Sequence, residues 1–302
     1  NSRGQFGTIY RFYCKSLDNP ILLENKTKYR TLSNDTSYTS YILKIIEITS
    51  SMSKKCILRE VYVNLLLTNK DTNTKSNSES NIIHCYGYIE TRDKIWLIVE
   101  DCNGADLFDI CRCTLETNME KRNFLEPYYE YLTSHRNEII LTIARRIKWL
   151  HKHNIAHRDI KSLNIMLCRD NDNDNDNDND NDSYNVKLID FGEVDIGKVD
   201  SGEVDSGEVD FENNSYTKCS NMRKGKGTHV YMPYESYISF GTNDSFNNIK
   251  KSKLTDIYSF GCLIYELFLP RFFDKDTRYY NHVIRFKNTD NTDNSYYDEK
   301  VL

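Results

Sequence analysis

A chain of 302 residues with 38% hydrophobic and 12% aromatic content can bury a core, which excludes disorder throughout, and only 4 prolines exclude a proline-rich linker protein. A net charge of −5 gives no overall electrostatic reason to bind nucleic acid or an anionic membrane, so neither partner is expected. No apolar run approaches the roughly 20 residues that cross a bilayer, and 9 cysteines without a C-x-x-C spacing point to free thiols in a reducing, cytoplasmic compartment rather than to zinc or disulfides.

The chain opens on SRGQFGTIYR, in which Gly4 and Gly7 flank Phe6 and Ile9 follows. Glycines let backbone N–H groups approach a phosphate where a side chain would collide, although any hairpin holds two glycines as readily. YILKIIEI (41–48) and KIWLIVE (94–100) are short β-branched runs that read as strands, and KKCILREVYVNLLL (54–67) between them has apolar residues at helical spacing. Lys44 sits on the first of these strands and Glu60 on the helix. A lysine on an apolar strand often only extends its ammonium to solvent, but one held by a carboxylate can grip phosphates without drifting. Further on, EIILTIARRIKWLHKH (138–153) reads as a helix from the spacing of Ile139, Ile143, Ile147 and Leu150, and TDIYSFGCLIYELF (255–268) reads as a buried helix. A strand-rich part thus precedes a larger helical one, with polar insertions near 20–40, 68–80, 169–183 and 193–222. The Asp-Asn tract at 169–183 echoes a calcium loop but lacks its glycine turn and closing glutamate, and the five-residue repeat at 193–210 is too short to stack as a solenoid. Both read as solvated loops.

Between the two helices lies HRDIKSLN (157–164), followed by the strand VKLI and by Asp190-Phe191-Gly192. An aspartate in a loop can accept a hydroxyl proton, and an asparagine with a second aspartate offers hard oxygen ligands for magnesium. Asp-Phe-Gly alone would be an ordinary turn; its company with His157, Arg158, Asp159, Lys161 and Asn164 is not a chance pairing. In the order of these motifs the sequence resembles the eukaryotic protein kinases, from Gly4 to about Phe268. GTHVYMPYE (227–235) resembles the segment that closes the family's activation loop, with Pro233-Tyr234 in place of Ala-Pro before Glu235. TDIYSFG (255–261) resembles the opening of helix F, where Asp256 braces the catalytic loop. The lysine of HRDIKSLN and Thr228 resemble the serine/threonine kinases, and YSFGCLIYELF resembles the tyrosine-kinase-like group among them.

The resemblance implies an α+β, bilobal fold, with a small antiparallel sheet and helix C in residues 1–101 and a larger, mainly helical lobe in 102–302. The start of the first strand and the last helices are expected to be missing. It implies transfer of the γ-phosphoryl group of magnesium-bound ATP to serine or threonine hydroxyls of a protein substrate. Asp159 would be the base, Lys161 would steady the transferred group, Asn164 and Asp190 would hold Mg²⁺, and Lys44, paired with Glu60, would grip the phosphates. Gly4, Gly7, Ile9, Ile42, Lys44, Glu100, Cys102 and Met166 would contact the nucleotide, with Val99 as gatekeeper. Ser215, Tyr216, Thr217 and Ser220 would be phosphorylation sites with Arg158 as phosphate partner, under an activating kinase or a regulatory partner. The Asp-Asn tract would sit at a hairpin tip, where loop closure grows only slowly with length.

The same resemblance leaves a second reading open: a pseudokinase that binds nucleotide or scaffolds without transfer. Ser2 replaces the family's first glycine, Ile42 replaces an alanine against the purine, and Asn64 replaces an apolar residue linking helix C to Asp-Phe-Gly. A buried amide without a partner costs about 1–3 kcal/mol, so Asn64 would bias helix C outward unless a partner meets it.

Overall fold

In the computed structural model the described residues are 3–4, 7–14, 20–25, 39–49, 54–73, 82–169, 184–197, 228–233 and 249–270. Six strands, β1 (Arg3–Gly4), β2 (Gly7–Cys14), β3 (Pro20–Asn25), β4 (Thr39–Glu47), β5 (Cys85–Glu90) and β6 (Lys94–Glu100), form an antiparallel sheet. Its order is β1-β2-β4-β6-β5, with β3 also paired to β2. The strand period of two sorts β4 into faces. Tyr41 and Leu43 pack with Phe12 and Cys14 on one side, while Ile42 and Ile46 pack on the other against α1 (Lys54–Asn73). Lys44 shares the second face. On α1 the buried positions Ile57, Glu60, Val61, Asn64 and Leu67 follow at helical steps, so one stripe carries both the apolar contact and Glu60.

The remaining elements gather around α3 (Met119–Lys152) and α4 (Ile249–Phe268). Strands β7 (Gly104–Asp106), β9 (Ile165–Arg169) and β10 (Tyr184–Leu188) pair in the order β10-β9-β7, and β8 (Ile155–Ala156) pairs with β11 (Asp195–Ile196). The short α2 (Leu107–Cys111) starts at Asp106, whose carboxylate accepts the Asp109 N–H at 2.9 Å. Helix α3 starts in the same way at Asn118, which accepts the Lys121 N–H at 3.1 Å. Ile139, Ile143, Ile147 and Leu150 of α3 then meet Val186, Leu188, Phe191 and Leu263 in one apolar cluster.

Local expectations are redrawn at five places. The polar stretch at 20–40 contains β3. The stretch at 68–80 begins inside α1, which runs on to Asn73 because extending a formed helix is far easier than starting one. Helix α3 begins at Met119 rather than 138: Leu125, Tyr128 and Leu132 extend its buried stripe, across Pro127 and a kink at His135. Helix α4 begins at Ile249 and is buried on one side only, with Asp256, Ser259, Glu266 and Leu267 inside and Ile257, Tyr258 and Phe268 exposed. The insertion at 193–222 opens with β11. The Asp-Asn tract beyond Arg169, together with Ser2, Phe6, Ser215, Tyr216, Thr217, Ser220, Tyr234 and Glu235, lies outside the described residues. No helix among the described residues is long and apolar enough to cross a membrane. Cys14, Cys85, Cys102, Cys111, Cys113, Cys168 and Cys262 are free thiols.

Candidate active site

Lys44 Nζ donates to Glu60 Oε1 at 2.6 Å and to Asp190 Oδ1 at 2.9 Å, so β4, α1 and the Asp190-Phe191-Gly192 turn meet at one ammonium. Burial alone would depress that ammonium, but Glu60 and then Asp190 outweigh it and raise it above the usual lysine value. Burial alone would raise the Asp190 carboxyl; Lys44 outweighs it and holds it below the usual aspartate value. Both groups are therefore charged at neutral pH. Asn64 is buried but satisfied, because its Nδ2 donates to the backbone oxygen of Glu60 at 2.8 Å, one turn back. The outward bias expected of α1 is absent for that reason. Phe191 is fully buried with its ring centroid 5.1 Å from that of His157, anchoring the turn on which Asp190 stands at φ 63°.

Asp159 lies one loop away, and four donors converge on its carboxylate. Lys161 Nζ reaches Oδ2 at 2.6 Å and Asn164 Nδ2 reaches the same oxygen at 2.9 Å, while Thr228 donates to Oδ1 from its backbone N–H and from Oγ1, both at 3.0 Å. The Lys161 ammonium also donates to Thr228 Oγ1 at 2.8 Å. Asn164 Nδ2 bonds the backbone oxygen of Asp159 as well, at 2.8 Å, so both bonds to Asp159 use the amide nitrogen, and Asn164 borders the neighbouring cavity. The loop itself hangs on Asp256 of α4, which is fully buried. Asp256 accepts the His157 N–H at 2.8 Å, the Arg158 N–H at 2.7 Å and His151 Nε2 at 2.8 Å. Those bonds hold Arg158 at φ 66°, a conformation a non-glycine residue seldom adopts unaided. His157 takes its tautomer from two contacts: Nε2–H donates to the Ile189 oxygen at 3.0 Å, and Nδ1 accepts the Asp159 N–H.

A cavity of about 400 Å³ runs between the six-stranded sheet and β9. Ile9, Ile42, Val99, Cys102 and Met166 line its apolar end, and Lys44, Lys161, Asn164 and Asp190 line its charged end. Of the residues expected at a nucleotide, Ile9, Ile42, Lys44, Glu100, Cys102 and Met166 all border this space, and Gly4 and Gly7 pair with each other across the β1–β2 hairpin. Glu100 contributes structure as well, accepting the His84 N–H at 3.0 Å and a bond from Lys187. An apolar slot ending in two ammonium groups fits a purine with a polyphosphate. Among the described residues no cluster of three His, Cys, Asp or Glu side chains could hold a metal ion. The two hard oxygen donors of Asn164 and Asp190 still fit Mg²⁺, which takes the rest of its octahedron from phosphate and water.

Two lining features went unread in the sequence. Arg11 of β2 donates to Asp101 Oδ1 at 3.1 Å, joining the sheet to the chain just after β6. At Gly104 an added Cβ would lie 2.3 Å from the Leu167 backbone oxygen and 2.9 Å from Cys168 Cα, so β7 can approach β9 only with glycine there. Gly104→Ala is expected to weaken binding of a fluorescent ATP analogue and to cost about 1–3 kcal/mol of stability, since the clash is with backbone and no side chain can turn aside. Titration and thermal unfolding of the variant check this together.

A family model described as protein kinase domain matches residues 27–300. The chain belongs to that family. The serine/threonine-protein kinase CLA4 of Eremothecium gossypii is 30% identical over 110 residues, 36% of this kinase chain and 12% of that protein. The RGS domain-containing serine/threonine-protein kinase A of Dictyostelium discoideum is 25% identical over 188 residues, 62% of this chain and 12% of that protein. A further Dictyostelium discoideum protein named as a serine/threonine-protein kinase is 24% identical over 273 residues, 89% of this chain and 45% of that protein. The chain thus spans less than half the length of each of these relatives.

Proposed function

We propose that this chain is an active, two-lobed serine/threonine protein kinase that transfers the γ-phosphoryl group of magnesium-bound ATP to hydroxyls of protein substrates inside the cell. The observation that carries the reading is the Asp159 carboxylate, held by Lys161, Asn164 and Thr228 beside the closed Lys44–Glu60–Asp190 cluster. Asp159 orients the substrate hydroxyl and takes its proton; Lys161 steadies the transferred group; Lys44, fixed by Glu60, grips the phosphates. Asn164 and Asp190 would hold Mg²⁺, which when bound neutralises charge on the phosphate oxygens. Thr228, bonded to both Asp159 and Lys161, supports serine or threonine as the acceptor. The pseudokinase reading drew on Ser2, Ile42 and Asn64; of these, the bond from Asn64 to the Glu60 backbone oxygen answers Asn64, while Ile42 lines the cavity and Ser2 lies outside the described residues.

The test is transfer from γ-labelled ATP to peptide mixtures whose sole acceptor is serine, threonine or tyrosine, with magnesium or with EDTA. Magnesium-dependent label on serine or threonine is expected. Nucleotide binding with no transfer to any mixture, or to the chain itself, would establish the pseudokinase instead.

A further inference from the structure

Glu60 reaches Lys44 only while α1 keeps its rotation, and successive helix residues are fixed about 100° apart, so whatever orients Arg59 also orients Glu60. Arg59 is buried, and its Nη2 donates to the backbone oxygen of Val194 at 2.6 Å and stands 3.5 Å from Asp195 Oδ1. Asp195 is buried as well. Its other carboxylate oxygen accepts Ser252 Oγ of α4 at 2.7 Å, and its backbone pairs with Ala156, the residue before His157. Ser252 stands one turn before Asp256 on the same helix, so one carboxylate joins α1, the segment after Gly192 and the helix that suspends the catalytic loop.

We infer that Asp195 is a positioning residue: through Arg59 and Ser252 it sets the rotation of α1 that keeps Glu60 on Lys44, so that a carboxylate of the chain's own closes the site. The catalytic consequence rests on the proposed kinase reading; the mechanical one does not. A buried pair of this kind leaves an uncompensated charge when one partner is removed, whereas replacing both partners by apolar side chains is often neutral for folding. That difference separates holding the fold together from holding Glu60 in place.

Asp195→Asn and the double variant Arg59→Met/Asp195→Leu are compared with the parent chain by amide hydrogen exchange and by transfer kinetics with ATP varied. In both, amides of α1 should exchange about tenfold faster while those of α3 are unchanged, and KM for ATP should rise about fivefold or more, exceeding the fall in kcat. The double variant should do this with its unfolding midpoint within about 3 °C of the parent. Unchanged exchange in α1 of Asp195→Asn overturns the proposal, as does faster exchange spread equally over α3, or recovery of parental exchange and KM in the double variant. A parent chain that transfers no phosphate would sink the kinase reading alone, and the exchange result would still decide the role of Asp195.

Discussion

Replacing Asp159 by asparagine should lower kcat for phosphoryl transfer by about 10²–10⁴-fold, the range a positioned general base contributes, while the affinity for an ATP analogue stays within about twofold. The shape of the side chain survives the change, and Asp159 is not among the residues that line the nucleotide cavity. What disappears is an acceptor. The carboxylate now meets only donors, namely Lys161 Nζ, Asn164 Nδ2 and the two donors of Thr228. An asparagine must turn its own NH₂ towards one of those pairs, and it can no longer take the proton of a substrate hydroxyl. Steady-state transfer and nucleotide titration on the same preparation check both halves. A variant with unchanged kcat would remove Asp159 from the chemistry, and one with lost nucleotide affinity would mean that the substitution had disturbed the cavity rather than the base.

Much of the candidate site was legible because its residues are contiguous and their order resembles that of the protein kinases. His157 to Asn164 occupy a single loop, and Asp190 to Gly192 a single turn, so their order could be read before any fold was known. Lys44 and Glu60 needed one more step: the period of two on β4 and the helical step on α1 put each on a buried face, but their pairing was expected only from the resemblance, and the structure places them 2.6 Å apart. Features set by distant partners were not readable. Asn64 appeared to be a liability from its type alone, and its partner is the backbone oxygen of its own helix one turn back. Gly104 stood in an unremarkable Asn-Gly-Ala run; its constraint comes from β9, more than sixty residues later. Strand β3 lay within a stretch rich in Asn, Ser and Thr, and only pairing with β2 defines it. In α4 the apolar run suggested burial all round, but the buried face includes Ser252, Asp256, Ser259 and Glu266, each taken inward by a specific bond, while Ile257 and Tyr258 face out. Periodicity ranks side chains by hydrophobicity, and a hydrogen-bonded polar face defeats that ranking.

The largest effect on folding is expected at Asp256→Ala. Three donors converge on this carboxylate, two of them backbone N–H groups of the catalytic loop, and the side chain is fully buried, so water cannot replace it without entering the core. Each buried donor left without an acceptor costs about 1–3 kcal/mol, so the loss of stability should be on the order of 3–5 kcal/mol, a large fraction of what a domain usually possesses. At about 2–4 °C per kcal/mol, the unfolding midpoint should fall by roughly 6–20 °C. The loss is also local. Arg158 is held at φ 66° by these bonds, and once released it should relax to an ordinary backbone conformation, carrying Asp159 away from Lys161 and Thr228. Transfer should therefore be lost even well below the lowered midpoint, where the variant is still folded. Asp256→Asn, which keeps one oxygen for one of the two N–H groups, should lie between the parent and the alanine variant in both respects. Thermal unfolding alongside transfer measured about 15 °C below each variant's own midpoint separates the global cost from the local one. Parental activity in folded Asp256→Ala would show that the loop keeps its shape without its anchor, and that the strain at Arg158 is carried by the His157 and Asp159 contacts instead.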